Sequence, residues 1–269
     1  MSAAQGTPVR EPAAPAPDGS GVLVVVPTYD ERENLPGLVE RVLATVPAAR
    51  LLVVDDGSPD GTGELADAMA ARDDRVAVLH HHPKRGLGAA YVDAFAHVMA
   101  THGAHDVGWV VQMDADGSHA PEDLPALLAA ARTEGADLVL GSRYVPGGRV
   151  VNWPWYRDAL SRSANVYSRH ALRLPVRDVT GGFRLFRREV LAAVTAAPVS
   201  SQGYCFQVDL AFRVQRAGYT VREVPIVFTE RCAGASKMSG AVVREALWRI
   251  TAWAVRDRLR TRERPATTR

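Results

Sequence analysis

Apolar and polar positions alternate along this chain in blocks whose lengths predict a layered α/β fold. Val22 to Val26 is a short, β-branched apolar run, and Leu51 to Val54 repeats the pattern. Runs of this kind predict strands buried on both faces. Between them Leu35, Leu38, Val39, Val42 and Leu43 recur at helical spacing, with Asn34 placed as the cap. The alternation continues with a helix over 63–72, a strand over 76–79, a helix over 88–99, a strand over 109–113, a helix over 121–132 and a strand over 137–140. Strands separated by helices predict right-handed βαβ units and a parallel sheet. In such sheets ligands bind beyond the carboxyl ends of the strands. Polar residues collect there: Pro27 to Glu31 after the first strand, Asp55 to Gly61 after the second, and Asp114-Ala115-Asp116 after the fourth.

The ends read differently. Residues 1–20 are rich in Ala and Pro without an apolar period, the composition of a disordered tail. One folded domain is predicted over 21–239, an amphipathic helix over 240–260 and a basic tail over 261–269. Val242, Val243, Ala246, Leu247, Ile250, Trp253 and Ala254 fall on one side of that helix, predicting a face packed on the core. Trp248, Val255 and Leu259 form a second strip, which with the nearby arginines suits an anionic lipid surface.

Charge sharpens this reading. The chain carries a net +2, which gives no support to a general nucleic-acid binder. From Gly240 onward eight Arg face three acidic residues, a local +5 that leaves −3 for the rest. Two cysteines, Cys205 and Cys232, cannot build a disulfide framework or a four-thiolate zinc site. With no signal peptide the chain is expected to be cytoplasmic, with any membrane contact peripheral.

Asp114 and Asp116 stand at i, i+2 where a strand ends, and in extended chain that spacing points both carboxylates to one side. A hard divalent ion suits such a pair; the alternative is a turn whose carboxylates cap the helix near Pro121. Asp55 to Thr62 has turn chemistry throughout, with Thr62 able to cap the next helix, but that leaves two consecutive carboxylates for the donors of a bound sugar or base. Gly86 to Tyr91 superficially resembles a dinucleotide fingerprint, yet has Tyr in place of the third Gly or Ala and follows the third strand. Only two lysines, Lys84 and Lys237, stand among thirty arginines, which hints at sites needing a compact ammonium, although chance accounts for it equally. Cations at Arg143, Arg157, Arg162 and from Arg231 to Lys237 either form a solvated face or bind an anionic second substrate.

Seven stretches in order, Val26 to Leu35, Asp55 to Thr62, Gly86 to Tyr91, Met113 to His119, Gly141 to Tyr144, Thr180 to Arg184, and Glu223 through Arg231 to Lys237, resemble the dolichyl-phosphate mannose synthases, family 2 glycosyltransferases of GT-A fold. Asn152 to Trp155 and Gly203 to Gln207 look closest to the polyprenyl-phosphate mannose synthases of actinobacteria. The resemblance implies a Rossmann-like, mostly parallel sheet and inverting transfer of mannose from GDP-mannose to a polyprenyl phosphate with Mg²⁺ or Mn²⁺. By motif position, Pro27, Tyr29, Glu31, Val54 and Asp56 would bind the nucleotide, and Asp114, Ala115 and Asp116 the diphosphate, mannose and metal. Arg143, Arg231 and Lys237 would contact the substrate phosphates, with Arg157 and Ser161 holding the acceptor phosphate. Gly117-Ser118 stands where some relatives carry a bulky residue and a metal-binding Gln, so a third protein ligand is in question. A separate membrane-anchoring protein would fit the lipid acceptor. Competing readings are a related transferase using another sugar nucleotide such as UDP-glucose, and a silent sugar-nucleotide-binding subunit.

Overall fold

The computed structural model describes residues 16–103, 106–199, 204–230 and 240–263. In chain order the elements are β1 (Val22–Thr28), α1 (Leu35–Thr45), β2 (Arg50–Asp55), α2 (Thr62–Ala70), β3 (Val76–His80), α3 (Leu87–Thr101), β4 (Trp109–Gln112), α4 (Leu124–Glu134), β5 (Leu138–Ser142) and β6 (Arg149–Val151). They are followed by α5 (Trp155–Leu172), β7 (Arg184–Arg187), α6 (Arg188–Thr195), α7 (Tyr204–Arg216), β8 (Val221–Pro225), β9 (Val227–Thr229) and α8 (Gly240–Glu263). Seven strands form the central sheet in the order β3-β2-β1-β4-β7-β5-β8. A small parallel pair, β6 and β9, stands beside it.

All seven residues of β1 are buried. Val22, Val24 and Val26 enter one apolar core with α1 and α4, whereas Leu23 and Val25 enter a second core with α3, α6 and α7. The continuous apolar run is therefore the signature of a strand covered on both faces. The parallel expectation needs one correction. β7, reached from β5 through β6, α5 and the 173–183 loop, runs antiparallel between β4 and β5. The sheet is therefore mostly parallel.

Two expected caps also differ. Asn34 occupies the N-cap position of α1 but makes no side-chain cap bond, its amide donating instead to Glu31 Oε2 at 2.7 Å. Gly61, not Thr62, is the N-cap of α2, in the left-handed region that suits glycine. The Thr62 hydroxyl donates to Asp60 Oδ1 at 2.5 Å and accepts the Glu31 N–H.

α8 packs on α5 and α7. Ile250 and Ala254 are buried there and Trp253 is packed against the same core, while Asp257 pairs with Arg216 at 2.6 Å. Leu247, expected on this packed face, lies at its edge and is 42% exposed. Trp248 at 70% exposure, Val255 and Leu259 face outward, and so do Trp155 (81%) and Tyr156 (62%) on α5. The side chains of Val242 and Val243 lie outside the described residues.

Candidate active site

Strand order reverses between β1 and β4: β2 and β3 lie to one side of β1, and β4 to the other. That switch point opens a crevice beyond the strand ends. Asp114-Ala115-Asp116 follows β4 directly into it. Ala115 is 3% exposed within the core while both aspartates are half-buried, and both carboxylates lie near enough to Tyr91 for their charge to act on its phenol. Tyr91 of α3 donates its hydroxyl to Asp114 Oδ1 at 3.1 Å. Burial, and after it the charge of Asp114, pushes the Tyr91 phenol well above its usual range, so it stays a donor. The Asp114 N–H donates to His119 Nδ1 at 3.1 Å, and the His119 ring stacks on Phe183. Asp116 Oδ1 accepts the Ser118 N–H at 3.1 Å. In the region of the helix-capping alternative, Ala120 and Asp123 occupy the N-cap positions of the turn before α4 and of α4, neither with a side-chain cap bond.

These residues fit a hard divalent ion. A Cβ at Gly182 would come within 3.1 Å of Asp114 Oδ2, so the glycine keeps the carboxylate's surroundings clear. Among the described residues no cluster of three His, Cys, Asp or Glu gathers as a ligand set. A hard divalent ion can be held by as few as two carboxylates with waters and substrate phosphate oxygens.

The expected nucleotide residues come together at the ends of β1 and β2. Pro27 and Val54 are partners in the strand register. Asp55 accepts from Thr28 Oγ1 at 3.3 Å and from Ser58 N and Oγ at 3.2 and 2.5 Å. Asp56 accepts from the backbone N–H groups of Arg85 and Gly86 at 2.8 and 2.7 Å. The two carboxylates thus find donors within the protein and tie three strand ends together, a requirement that turn chemistry in the sequence did not reveal. His81 lies between Asp56 and Asp93, 3.4 Å from each. The ammonium of Lys84 sits 2.8 Å from the centroid of the Tyr29 ring.

Two of the cations expected at the substrate phosphates, Arg143 and Arg157, are held by carboxylates. Arg143, 5% exposed, makes a forked pair with Asp178 at 2.7 Å through Nε and Nη2, and donates to Thr180 Oγ1 at 2.8 Å. Burial raises the Asp178 carboxyl, but the Arg143 charge and hydrogen bonds outweigh it and hold the group below its usual range. Arg157 pairs with Glu230 and lies over Trp153 at 4.5 Å. Ser161 accepts from the Tyr144 hydroxyl at 2.7 Å. Neither Arg143 nor Arg157 is the solvated-face cation that loop arginines usually are. Arg231 and Lys237 lie outside the described residues.

Sequence reasoning did not single out Asp178, Asn165 or Arg184 as individual residues. Asn165 of α5 accepts the N–H groups of Val179 and Thr180 at 2.7 and 3.2 Å. Arg184 is fully buried and donates to the carbonyls of Gly181, Gln207 and Val179 at 2.7–2.8 Å. Burial lowers Arg184 to about 9, still charged at neutral pH. Together they fix the 178–184 loop that brings Gly182 against Asp114. The only sequence signal was the Thr180-Gly181-Gly182-Phe183-Arg184 motif itself.

Comparison with known proteins agrees with this geometry. The model of glycosyl transferase family 2 matches residues 23–195. The chain is 54% identical over 238 residues to the polyprenol monophosphomannose synthase of Mycolicibacterium smegmatis, covering 88% of each. It is 49% identical over 237 residues to the undecaprenyl-phosphate mannosyltransferase of Micrococcus luteus, covering 88% of this chain and 95% of that one. In fold it resembles the crystal structure of glucosyl-3-phosphoglycerate synthase from Mycobacterium tuberculosis in complex with Mn²⁺, UDP-glucose and phosphoglyceric acid. That likeness has a TM-score of 0.66 at 22% identity, over 88% of this chain and 80% of that one. The central sheet and flanking helices thus have the GT-A fold, and the chain belongs to glycosyl transferase family 2 and, within it, to the polyprenyl-phosphate mannosyltransferases.

Proposed function

We propose that this chain transfers mannose from GDP-mannose to the phosphate of a polyprenyl phosphate at the inner face of the cell membrane, inverting the sugar to a β-linked mannosyl phosphate. The observation that carries it is the Asp114-Ala115-Asp116 step at the β1–β4 switch point in a chain 54% identical to a polyprenol monophosphomannose synthase. Pro27, Tyr29, Glu31, Val54 and Asp56 border the nucleotide. Asp114 and Asp116 would hold a divalent ion, whose charge would offset that developing on the departing diphosphate. The acceptor phosphate is already an anion near neutral pH, so the residues about it need to position it rather than deprotonate it. Tyr144, whose hydroxyl holds Ser161, and Arg157 on the Trp153 face give the acceptor side a fixed wall. The test is incubation of purified protein with Mg²⁺, a polyprenyl phosphate and GDP-mannose or UDP-glucose, followed by mass spectrometry of the extracted lipid. A mannosyl lipid from GDP-mannose supports the reading, and a glucosyl lipid alone sinks it.

Arg157→Ala is expected to raise the KM for polyprenyl phosphate about tenfold or more, the order of one charge-assisted contact, and to leave that for GDP-mannose nearly unchanged. A drop in melting temperature with equal effects on both substrates would instead make Arg157 a structural partner of Glu230.

Among the described residues no helix is long and apolar enough to cross a membrane. Trp248, Val255 and Leu259 on α8 and Trp155 and Tyr156 on α5 are exposed, and such side chains suit a headgroup region when arginines lie nearby. Removal of residues 258–269, with Arg258, Arg260, Arg262, Arg264 and Arg269, is expected to weaken sedimentation with anionic liposomes. The loss should be largest at low salt, because salt screens the attraction. Equal binding of truncated and full-length protein at low salt would remove the tail from the membrane contact. A separate anchoring protein would then be the simpler account.

A further inference from the structure

The loop between β3 and α3 is folded back over the nucleotide side of the crevice. Asp56 takes the N–H groups of Arg85 and Gly86, and the His81 N–H donates to the Asp55 carbonyl at 2.8 Å. A Cβ at Gly57 would stand 3.2 Å from the His81 carbonyl oxygen and 3.7 Å from Lys84 N. The loop is therefore seated closely on the turn after β2. What it delivers is Lys84: its ammonium lies over the Tyr29 ring, 2.8 Å from the centroid, while the residue as a whole is exposed.

An exposed cation on an aromatic face is a weak contact, and a nucleobase stacking on the same face is a stronger one. A base that takes the ring leaves the ammonium at its edge, still tethered by the loop that Asp56 holds. Lysine has three donors and no acceptor, so it is satisfied only by an edge that presents acceptors. Guanine offers O6 and N7 side by side, whereas adenine places an amino donor beside N7. In a chain with thirty arginines and two lysines, the compact ammonium here is also the cation that can yield the ring and turn to an edge.

We propose that Lys84 is a specificity-determining residue for the donor, its ammonium guarding the Tyr29 face in the free protein and donating to the O6/N7 edge of a guanine base in the complex. This rests on the guanine-nucleotide donor proposed above. The test is calorimetric titration of the full chain and of Lys84→Met with GDP, ADP and UDP in Mg²⁺. The exposed position leaves the fold intact, and the melting temperature checks that. Wild type should prefer GDP over ADP, and the variant should lose about tenfold in GDP affinity with ADP and UDP unchanged. Lys84→Arg should recover part of the loss. An unchanged GDP affinity in the variant overturns the role of Lys84 and leaves the donor intact. Equal losses for all three diphosphates also overturn it, since the ammonium would then serve the phosphates. A wild type that favours UDP overturns the guanine donor and, with it, this role.

Discussion

Asp114→Asn is expected to lower mannosyl transfer more than a hundredfold while the protein stays folded. Groups that only support a metal ligand cost about 10- to 100-fold in affinity or activity when lost. An amide in place of a ligating carboxylate removes the anionic oxygen itself and should exceed that. The structure says why the fold survives. Asp114 is half-buried, its Oδ1 accepts the Tyr91 hydroxyl at 3.1 Å, and an Asn carbonyl oxygen can accept the same hydrogen bond. Its backbone N–H to His119 is untouched. The expected stability cost is about 1 kcal/mol, one ordinary hydrogen bond weakened. Asp116→Asn should behave alike, since Ser118 N–H can donate to an amide oxygen. Turnover and thermal melting measured on the same preparations decide the matter. Near-normal turnover in either variant, or full activity of wild type in excess EDTA, would remove the ion from the reaction.

The centre of the sheet was legible because β1, β2, β4 and β5 are covered on both sides. Val22 to Val26 and Leu51 to Val54 are each buried throughout, so burial alone writes a continuous apolar run into the sequence. β4 and β5 follow this rule while the edge strand β3 does not, and Ala115 is buried between the two half-buried aspartates. The antiparallel β7 was not legible, since Arg184 to Arg187 carries arginines at both ends. One of them, Arg184, is buried where the carbonyls of Gly181 and Val179 just before it and of the more distant Gln207 converge on its guanidinium. The same limit applies to the cations. Arg143 in a loop reads as a surface residue until Asp178, 35 positions away, is placed against it. Local patterns report periodicity and turns; a buried ion pair between distant segments leaves no such pattern. Asp56 likewise looked like a carboxylate awaiting a ligand, because its donors are backbone N–H groups that every sequence possesses.

Asp178→Ala is expected to destabilise the fold by about 3–5 kcal/mol, the cost of leaving a buried charge without its partner. Asp178 is fully buried and takes three hydrogen bonds from Arg143 at 2.7–3.0 Å and one from Gly181 N–H at 3.2 Å. Deleting it removes the carboxylate that faces the Arg143 guanidinium, which is 5% exposed among aromatic rings. For a domain of this size each kcal/mol moves the melting temperature by about 2–4 °C, so a fall of roughly 10 °C is expected. The sign of the pH dependence follows from the carboxyl being held below its usual range when folded. The unfolded chain then takes up the proton first as acid is added. The stability that Asp178 contributes is complete above about pH 4, and is lost as pH falls through the lower folded value. The gap in stability between wild type and Asp178→Ala should therefore be flat through neutrality and narrow only in acid. A double variant, Asp178→Leu with Arg143→Met, removes both charges and should recover much of the loss, because a buried pair replaced by apolar groups is often neutral. If the double variant is as unstable as the sum of the single ones, the two residues do not act as a pair. If Arg143→Met alone melts like wild type yet loses transfer, Arg143 serves the substrate phosphate and not the 178–184 loop. Loss of both together would mean that the loop carrying Gly182 to the Asp114 carboxylate depends on this ion pair, which is how the geometry joins stability to catalysis here.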